Sequence, residues 1–346
     1  MNAQSPEKTI LVTGASGFIG THIVAEFLRA GYHVRGTVRS ESSAQNAREA
    51  HPDYSRTLSF SIVPDIIKKG AFDEAVKGVN GVIHSASPFI VGQGLDNERD
   101  LLVPAIEGTK NILDSVAKHA PKVKRVVITS SFASIANLNR GLWPEHTYTE
   151  ADWNPESYGG AIQADVATAY CASKALAKRA AWEFVQREGP HFALTTICPP
   201  MVWGPIAHRV TSMDALPTSP KGFYQVMNGT LSEPPQTDIF PFVDVRDVAA
   251  AHRRGYEVVE AAGQRFFTTG GRYSWQLVCD ILRENLPDIR HLVPVGNPNT
   301  GLGAEVYKVD ASKAERVLDM QFRGLEQVVV DAAKSLIGLR DSFMEQ

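Results

Sequence analysis

The chain has 346 residues, of which 43% are hydrophobic and 21% charged, and its formal net charge is −3. This composition is that of a globular protein and excludes a disordered chain. The 35 basic residues are scattered among 38 acidic ones, so no basic stripe indicates nucleic-acid binding. No apolar run reaches the roughly eighteen residues that would predict a membrane span.

The cysteines and the N-terminal segment indicate a compartment. Cys171, Cys198 and Cys279 lie far apart and are odd in number, which fits neither a disulfide framework nor a zinc site. The N-terminal segment is polar and passes directly into the first apolar run, without the longer apolar stretch of a signal peptide. We therefore predict a cytoplasmic protein.

Short apolar runs alternate with longer stretches of helical periodicity between residues 9 and 199. This alternation predicts parallel strands joined by helices, a doubly wound α/β fold of the Rossmann type. The predicted strands are TILVTG, HVRGTVR, LSFSIV, GVIHSA, RVVITSS and ALTTICP. The helices predicted between them cover residues 18–29, 44–49, 71–77, 98–118 and 167–187.

The hydrophobic pattern changes after Pro199, because prolines interrupt residues 200–241 and few periodic runs remain there. Such a segment is expected to cap a site. Further on, the sequence predicts a helix at DVRDVAAAHRRGYEV, a strand at GQRFFTTG, and helices over 275–286 and 325–339. We predict two parts: a dinucleotide-binding unit of residues 1–199 and 241–270, and a smaller substrate lobe of residues 200–240 and 271–346.

The stretch GASGFIG places Gly14, Gly17 and Gly20 three residues apart, between the first predicted strand and helix. Glycines in such a stretch can simply form a tight turn. At the first strand-to-helix connection of an alternating chain, they also let the backbone approach the pyrophosphate of a dinucleotide. The spacing G-x-x-G-x-x-G is similar to that of the short-chain dehydrogenase/reductase superfamily.

The residue at the end of the second predicted strand indicates which dinucleotide is bound. An acidic side chain there would accept the ribose hydroxyls of NAD, but this chain has Arg39. A guanidinium can hold a 2′-phosphate through two charge-assisted hydrogen bonds. A strand-end arginine is often only a surface residue, yet after a glycine turn it favours NADP(H).

The motif AYCASK places Tyr170 and Lys174 one helical turn apart, on the same face of a predicted helix. A nearby cation would lower the pKa of the phenol toward neutrality. Ser130 and Ser131 end the fifth predicted strand, on the side of the sheet where such folds bind ligands. The three residue types together predict carbonyl reduction, with the phenol donating a proton as hydride arrives from the cofactor.

Several motifs carry a resemblance that covers nearly the whole chain: GASGFIG, HSASPF, NERDLLVPAIEGTKNIL, AYCASK, CPPMVWGP and FVDVRDVAAAH. They resemble the extended short-chain dehydrogenases/reductases, and within these the fungal NADPH-dependent aldehyde and ketone reductases of the methylglyoxal type. The plant dihydroflavonol and cinnamoyl-CoA reductases are more distantly similar. The resemblance implies an NADPH-dependent reductase of small carbonyl compounds.

The resemblance also implies roles for individual residues. Ser131, Tyr170 and Lys174 match the catalytic serine, tyrosine and lysine. The residues that match cofactor contacts are Gly14, Gly17, Phe18, Ile19, Arg39, Asp65, Ile66, Ala86, Ser87, Tyr170, Lys174, Pro199, Val202 and Ser219. The predicted walls of the substrate pocket are Phe89, Phe132, Met201 and Trp203, for which core packing is the alternative. The fungal enzymes often carry a lysine where this chain has Ser43.

Two other functions remain open at this point. A nucleotide-sugar epimerase or dehydratase would use the same serine, tyrosine and lysine, and a redox-sensing module would hold the dinucleotide without turnover. His84 lies in a predicted buried strand and is expected to be a core histidine. No metal is expected, because no group of His, Cys, Asp and Glu has ligand spacing. A homodimer is a further expectation.

Overall fold

A computed structural model describes residues 8–87 and 94–345. Its strands are, in chain order, β1 (Thr9–Thr13), β2 (His33–Val38), β3 (Leu58–Ile62), β4 (Gly81–His84), β5 (Arg125–Thr129), β6 (Thr147–Tyr148), β7 (Ala193–Cys198), β8 (Met201–Trp203), β9 (Pro241–Asp244), β10 (Gln264–Phe267), β11 (Gly271–Arg272) and β12 (Lys308–Val309).

The helices are, in chain order, α1 (Phe18–Arg29), α2 (Glu41–Glu49), α3 (Val103–His119), α4 (Tyr158–Gln163), α5 (Val166–Glu188), α6 (Thr218–Met227), α7 (Val245–Glu257), α8 (Trp275–Asn285), α9 (Ser312–Leu318) and α10 (Leu325–Met344). The predicted bounds of α1 match the observed ones, and the six strands predicted before residue 200 are all present.

The main sheet has seven strands in the order β10-β7-β5-β4-β1-β2-β3, and every pair in it is parallel. This confirms the doubly wound α/β fold. The chain runs outward from β1 through β2 to β3 and then returns to place β4 on the other side of β1. The connections after β1 and β4 therefore diverge, and they leave a crevice at the carboxyl edge of the sheet.

Strand β1 is buried on both faces, as a central parallel strand must be. Ile10 and Val12 belong to the core cluster that includes side chains of α1 and α7. Leu11 points the opposite way, into the cluster that includes side chains of α3 and α5. Because both helix layers pack on this strand, the turn that follows it is held in a fixed position.

A smaller sheet of β11, β9 and β8 belongs to the rest of the chain. Side chains of α6, α8 and α10 pack around it in a separate core that includes Trp203, Phe223 and Leu282. Helix α9 instead contributes Ala314 and Leu318 to the core of the main sheet. The division into two parts remains a proposal. Helix α9 was predicted to belong to the smaller lobe, but it packs on the larger unit.

Two local predictions differ from the structure. Residues 71–77 form a series of turns and no helix: the backbone hydrogen bonds in this segment span three residues, except that from Val76 to Phe72, which spans four. Helix α6 lies in the proline-rich segment where few periodic runs were expected. Its Pro220 falls in the first helical turn, where the missing N–H would have no helical partner in any case.

Other features of the described ranges bear on function. No helix within residues 8–87 and 94–345 is long and apolar enough to cross a membrane. The three cysteines are buried and unpaired. In the same ranges, no group of three or more His, Cys, Asp or Glu is placed to hold a metal ion.

The contact between α1 and the glycine turn generates a stability prediction. A Cβ at Gly20 would overlap the carbonyl oxygen of Gly14 and lie 2.9 Å from its carbonyl carbon. Gly20→Ala should lower the free energy of unfolding by about 1–3 kcal/mol, the usual cost of overpacking. Gly338→Ala is the control, because Gly338 is an exposed glycine of α10 with open space around it. This change should stabilise by about 0.5–1 kcal/mol. Urea unfolding of both variants makes the comparison, and equal shifts would contradict it.

Candidate active site

The glycine turn lies at the centre of the crevice. Gly14 has a φ of +69°, and a Cβ on it would stand 3.0 Å from both the Cα and the N of Ala86. The Gly17 N–H donates to the Gly14 carbonyl at 3.1 Å, and α1 begins at the next residue with no acidic side chain in its first turn. Unpaired N–H groups and an unneutralised helix dipole therefore face the crevice, an arrangement that suits a pyrophosphate.

Thr13 joins the ends of β1 and β4. Its hydroxyl oxygen accepts hydrogen bonds from the N–H groups of Ser85 (3.1 Å) and Ala86 (3.0 Å). Its proton is then donated to Nδ1 of His84 at 2.9 Å, which assigns the proton of that ring to Nε2. Burial lowers the pKa of His84 to about 3, so the ring is neutral. His84 is thus a buried positioning residue of the sheet edge, and Thr13 holds Ala86 against the glycine turn.

One end of the crevice, called the adenosine end because it contains Arg39 and Asp65, which were predicted to contact the adenosine half of the cofactor, is a cavity of about 640 Å³. Residues predicted to contact the cofactor meet there: Gly14, Gly17, Arg39, Asp65, Ile66, Ala86 and Ser87. The Asn111 side-chain amide donates to the carbonyls of Ile66 (2.9 Å) and Ile67 (2.7 Å), which fixes the loop after β3. Arg39 is exposed, and within the described ranges no carboxylate pairs with it. Its guanidinium is therefore available to an anion in this cavity.

The second end of the crevice is a cavity of about 280 Å³ that shares Gly14, Gly17, Ser85 and Ser87 with the first. The remaining predicted residues meet there: Phe18, Ile19, Ser131, Tyr170, Lys174, Pro199, Val202 and Ser219. The structure therefore brings all the residues of the predicted catalytic and cofactor sets into one continuous cleft. They come from the carboxyl edge of the main sheet, from the beginnings of α1 and α6, from α5 and from β8.

Hydrogen bonds distinguish the two serines after β5. The Ser134 hydroxyl donates to the Ser131 carbonyl at 2.6 Å, so the 3.0 Å contact between Ser130 and Ser134 uses the proton of Ser130. The Ser131 hydroxyl oxygen accepts from the Ala133 N–H at 3.1 Å. Within the described ranges no protein acceptor is assigned to the Ser131 proton, which can therefore be donated to a substrate oxygen. Lys178 supports this turn through a 3.2 Å bond to the Ser134 carbonyl.

Tyr170 and Lys174 lie on one face of α5, as predicted. The Lys174 ammonium donates to the Ser87 hydroxyl at 2.6 Å and lies 5.2 Å from the centroid of the Tyr170 ring. Burial lowers the pKa of Lys174 to about 8. Burial also raises the pKa of Tyr170 above its ordinary value, so the expectation that the lysine lowers it was wrong for this state of the protein. Desolvation dominates here, and the phenol keeps its proton at neutral pH.

The three predicted substrate-pocket residues that the structure describes, Phe132, Met201 and Trp203, are not brought together in this cleft. Phe132 is 2% exposed and stacks on Phe267 at 5.2 Å in a separate aromatic core. Alternation along β8 directs Met201 and Trp203 toward the core of the smaller lobe, whereas Val202 lines the cleft. Trp203 is 1% exposed. Phe89 lies outside the described residues.

Several cleft residues were not found by the sequence reasoning. Ser16 and Thr37 line the adenosine end beside the predicted contacts, and Pro217, Thr218 and Pro220 flank the predicted Ser219 at the catalytic end. Ser16 lies inside the glycine stretch, so its position was a usable signal. Pro217, Thr218 and Pro220 carry no such signal, because α6 reaches the cleft through its packing on β8.

The sheet order, the glycine turn at the switch point and the adjoining serine, tyrosine and lysine define a dinucleotide-binding protein of the short-chain reductase class. The sequence profile of the NAD dependent epimerase/dehydratase family matches residues 10–266. The chain belongs to this family, which confirms the resemblance inferred from its motifs.

Individual relatives are similar over nearly the whole chain. An uncharacterised oxidoreductase of Schizosaccharomyces pombe is 38% identical over 339 residues, covering 97% of this chain and 99% of that protein. The ketoreductase azaE of Aspergillus niger is 38% identical over 338 residues, covering 95% and 98%. The crystal structure of the yeast methylglyoxal/isovaleraldehyde reductase Gre2 complexed with NADPH has a TM-score of 0.88 at 35% identity, covering 96% of this chain and 99% of that one.

The position of Trp203 generates a prediction. Its ring packs edge-on against Tyr273 at 4.4 Å and against Phe223 at 5.5 Å. Trp203→Ala should lower the free energy of unfolding by about 3–5 kcal/mol, as other large-to-small core changes do. Val259→Ala, at a side chain that is 76% exposed, should change it by less than about 0.5 kcal/mol. Urea unfolding measures both values. A Trp203→Ala protein that is as stable as the unmodified protein but prefers different ketones would contradict the core assignment and support the predicted role in the substrate pocket.

Proposed function

We propose that the protein is an NADPH-dependent carbonyl reductase that converts aldehydes and ketones to alcohols, with Tyr170 as the general acid. The observation that carries this proposal is the continuous cleft, in which the glycine turn and Arg39, with no carboxylate of the described ranges paired to it, open onto Ser131, Tyr170 and Lys174. The names of the relatives, a ketoreductase and a methylglyoxal/isovaleraldehyde reductase, support the same class of reaction.

The cleft fits NADPH in its donor groups and its shape. The close approach of Gly14 to the Ala86 backbone needs a residue without a Cβ, and it places the turn and the first N–H groups of α1 at the edge of the cleft, where a pyrophosphate can bind. Arg39 supplies the positive charge that a 2′-phosphate requires, and no acid stands in its place at the end of β2. When bound, NADPH supplies hydride to the carbonyl carbon of the substrate.

The protein controls the proton that completes this reduction. The hydroxyls of Ser131 and Tyr170 bind the carbonyl oxygen, where negative charge develops as the carbon is reduced. Tyr170 then transfers its phenolic proton to that oxygen, which gives the alcohol, and it later recovers a proton from solvent. Burial favours this direction, since the phenol must be protonated before the step. Lys174 is largely protonated at pH 7, and its charge stabilises the phenolate that forms.

Two alternatives use parts of the same site. An epimerase or dehydratase would need room for a nucleotide sugar beside the dinucleotide, whereas the catalytic end of the cleft measures about 280 Å³. A binding module without turnover would require neither the Ser131 hydroxyl as a donor to substrate nor the phenol of Tyr170. Small carbonyl compounds as substrates therefore agree best with the cleft.

Location and assembly are further parts of the proposal. Three buried, unpaired cysteines agree with a reducing compartment, and we propose the cytoplasm. We also propose a homodimer, as stated from the sequence. Analytical ultracentrifugation of the purified protein measures its oligomeric state directly.

The first catalytic prediction concerns Tyr170→Phe. This change removes one hydroxyl and keeps the ring packed, so the protein should fold and bind NADPH as before. Loss of the general acid should lower kcat by at least about a hundredfold. The assay follows NADPH absorbance with methylglyoxal and a panel of ketones, and fluorescence titration measures NADPH affinity.

A matched control is Tyr158→Phe, because Tyr158 of α4 donates its hydroxyl proton to Glu98 at 2.8 Å and lines neither cavity of the cleft. Its kcat should stay unchanged. Ser131→Ala should lower kcat with little effect on NADPH affinity, and Lys174→Ala should impair both. Retention of more than about a tenth of the activity by Tyr170→Phe would remove the proposed role of this residue.

The second prediction concerns cofactor preference. NADPH should support reduction better than NADH, and Arg39→Asp should abolish or reverse that preference, because a carboxylate repels the 2′-phosphate and accepts ribose hydroxyls. Loss of one charge contact should raise the KM for NADPH by about ten- to a hundredfold. Steady-state rates with both cofactors test this, and equal efficiency of NADPH and NADH in the unmodified protein would contradict it.

A further inference from the structure

A third cavity, of about 180 Å³, adjoins the adenosine end of the cleft. It shares Ser16 of the glycine turn and Ser43 of α2 with the larger cavity that contains Arg39. Its other walls are Thr21, Asn46, Ala47, Ala50, His208 and Arg209. A group held at the end of β2 would therefore have this polar space directly beside it.

Arg209 reaches this space from a distant part of the chain. Its Nη1 donates to the Glu49 carboxylate at 2.8 Å and to the Asn46 side-chain oxygen at 3.2 Å. The side chains of Arg209 and Glu49 are 54% and 48% exposed. Exposed ion pairs of this kind contribute little to stability, so Arg209 can exchange Glu49 for a stronger anionic partner.

The segment that carries Arg209 is firmly attached beside the glycine turn. Nε2 of His22 on α1 bonds the Pro205 carbonyl at 2.9 Å. The ring of His208 packs against Phe18 at 5.8 Å, and Val210 is buried in the core of the smaller lobe. The base of the Arg209 side chain is thus fixed, while its guanidinium lies at the surface of α2.

We propose that Arg209 is a second cation for the 2′-phosphate of NADPH, acting with Arg39 and exchanging Glu49 for the phosphate. Ser43 and Asn46 are three residues apart on α2 and so adjacent on one face. A guanidinium bonded to Asn46 is therefore one helical turn from Ser43, which borders both cavities. The inference rests on the proposed function, and it identifies which residue compensates for the serine at position 43.

Charge favours the exchange. A phosphate monoester carries about −1.5 to −2 charges at pH 7 and offers three acceptor oxygens, whereas Glu49 carries one charge. A guanidinium can also bind phosphate through two parallel hydrogen bonds. The acidic group that competes for Arg209 is Glu49, and its removal should strengthen the binding of the phosphate.

The experiment measures dissociation constants for NADPH and NADH by fluorescence titration, and for 2′,5′-ADP and 5′-ADP by calorimetry. Arg209→Met should raise the dissociation constants of NADPH and 2′,5′-ADP by about tenfold and leave those of NADH and 5′-ADP unchanged. Arg209→Lys should retain part of the affinity, because it keeps the charge without the fork of donors. Glu49→Gln should tighten the binding of NADPH and 2′,5′-ADP, the two ligands that carry a 2′-phosphate.

The outcomes separate this inference from the proposed function. Equal weakening of all four ligands by Arg209→Met, or no change in any of them, would overturn the role of Arg209. Thermal melting of the ligand-free variants identifies a loss caused by loosening of the segment. If Arg209→Met has no effect while the unmodified protein prefers NADPH and needs Tyr170, only this inference fails. If the unmodified protein does not prefer NADPH, both proposals fail.

Discussion

The contact between the backbones of Gly14 and Ala86 is the constraint on which the rest of the site depends. A side chain at Gly14 would press on the Ala86 backbone at 3.0 Å, and Thr13 holds that backbone in place with two hydrogen bonds. Because β1 is packed between two helix layers, the backbones of Gly14 and Ala86 cannot move apart. The beginning of α1, the position of Ser87 and, through Ser87, the ammonium of Lys174 all follow from this approach.

Desolvation, more than charge pairing, determines the protonation of the groups around the cleft. Burial raises the pKa of Tyr170, lowers that of Lys174 to about 8 and lowers that of His84 to about 3. Each shift favours the neutral form of its group. In the proposed reduction this direction is useful at Tyr170, because its phenol must hold a proton before it can transfer that proton to the carbonyl oxygen.

The smaller lobe contributes to the cleft through the alternation of side chains along β8 and through the segment that leads from β8 into α6. Val202 faces the cleft, and the neighbouring Trp203 anchors the core of the lobe. Residues 217–220 close the catalytic end, while the segment after β8 crosses α1 and brings Arg209 to α2. The segment from β8 to the beginning of α6 thus reaches both ends of the cleft.

The sequence by itself determined the parts of this protein that depend on neighbours along the chain. The glycine turn, the bounds of α1, and the shared face of Tyr170 and Lys174 follow from local spacing, because helix and turn geometry act within a few residues. Only the tertiary structure decided that the Trp203 side chain points into the core of the smaller lobe and not into the cleft, because a three-residue strand takes its orientation from the sheet it joins. It also decided the placement of Arg209, whose partner Glu49 is 160 residues away. No local pattern records such a contact, because packing of distant segments creates it.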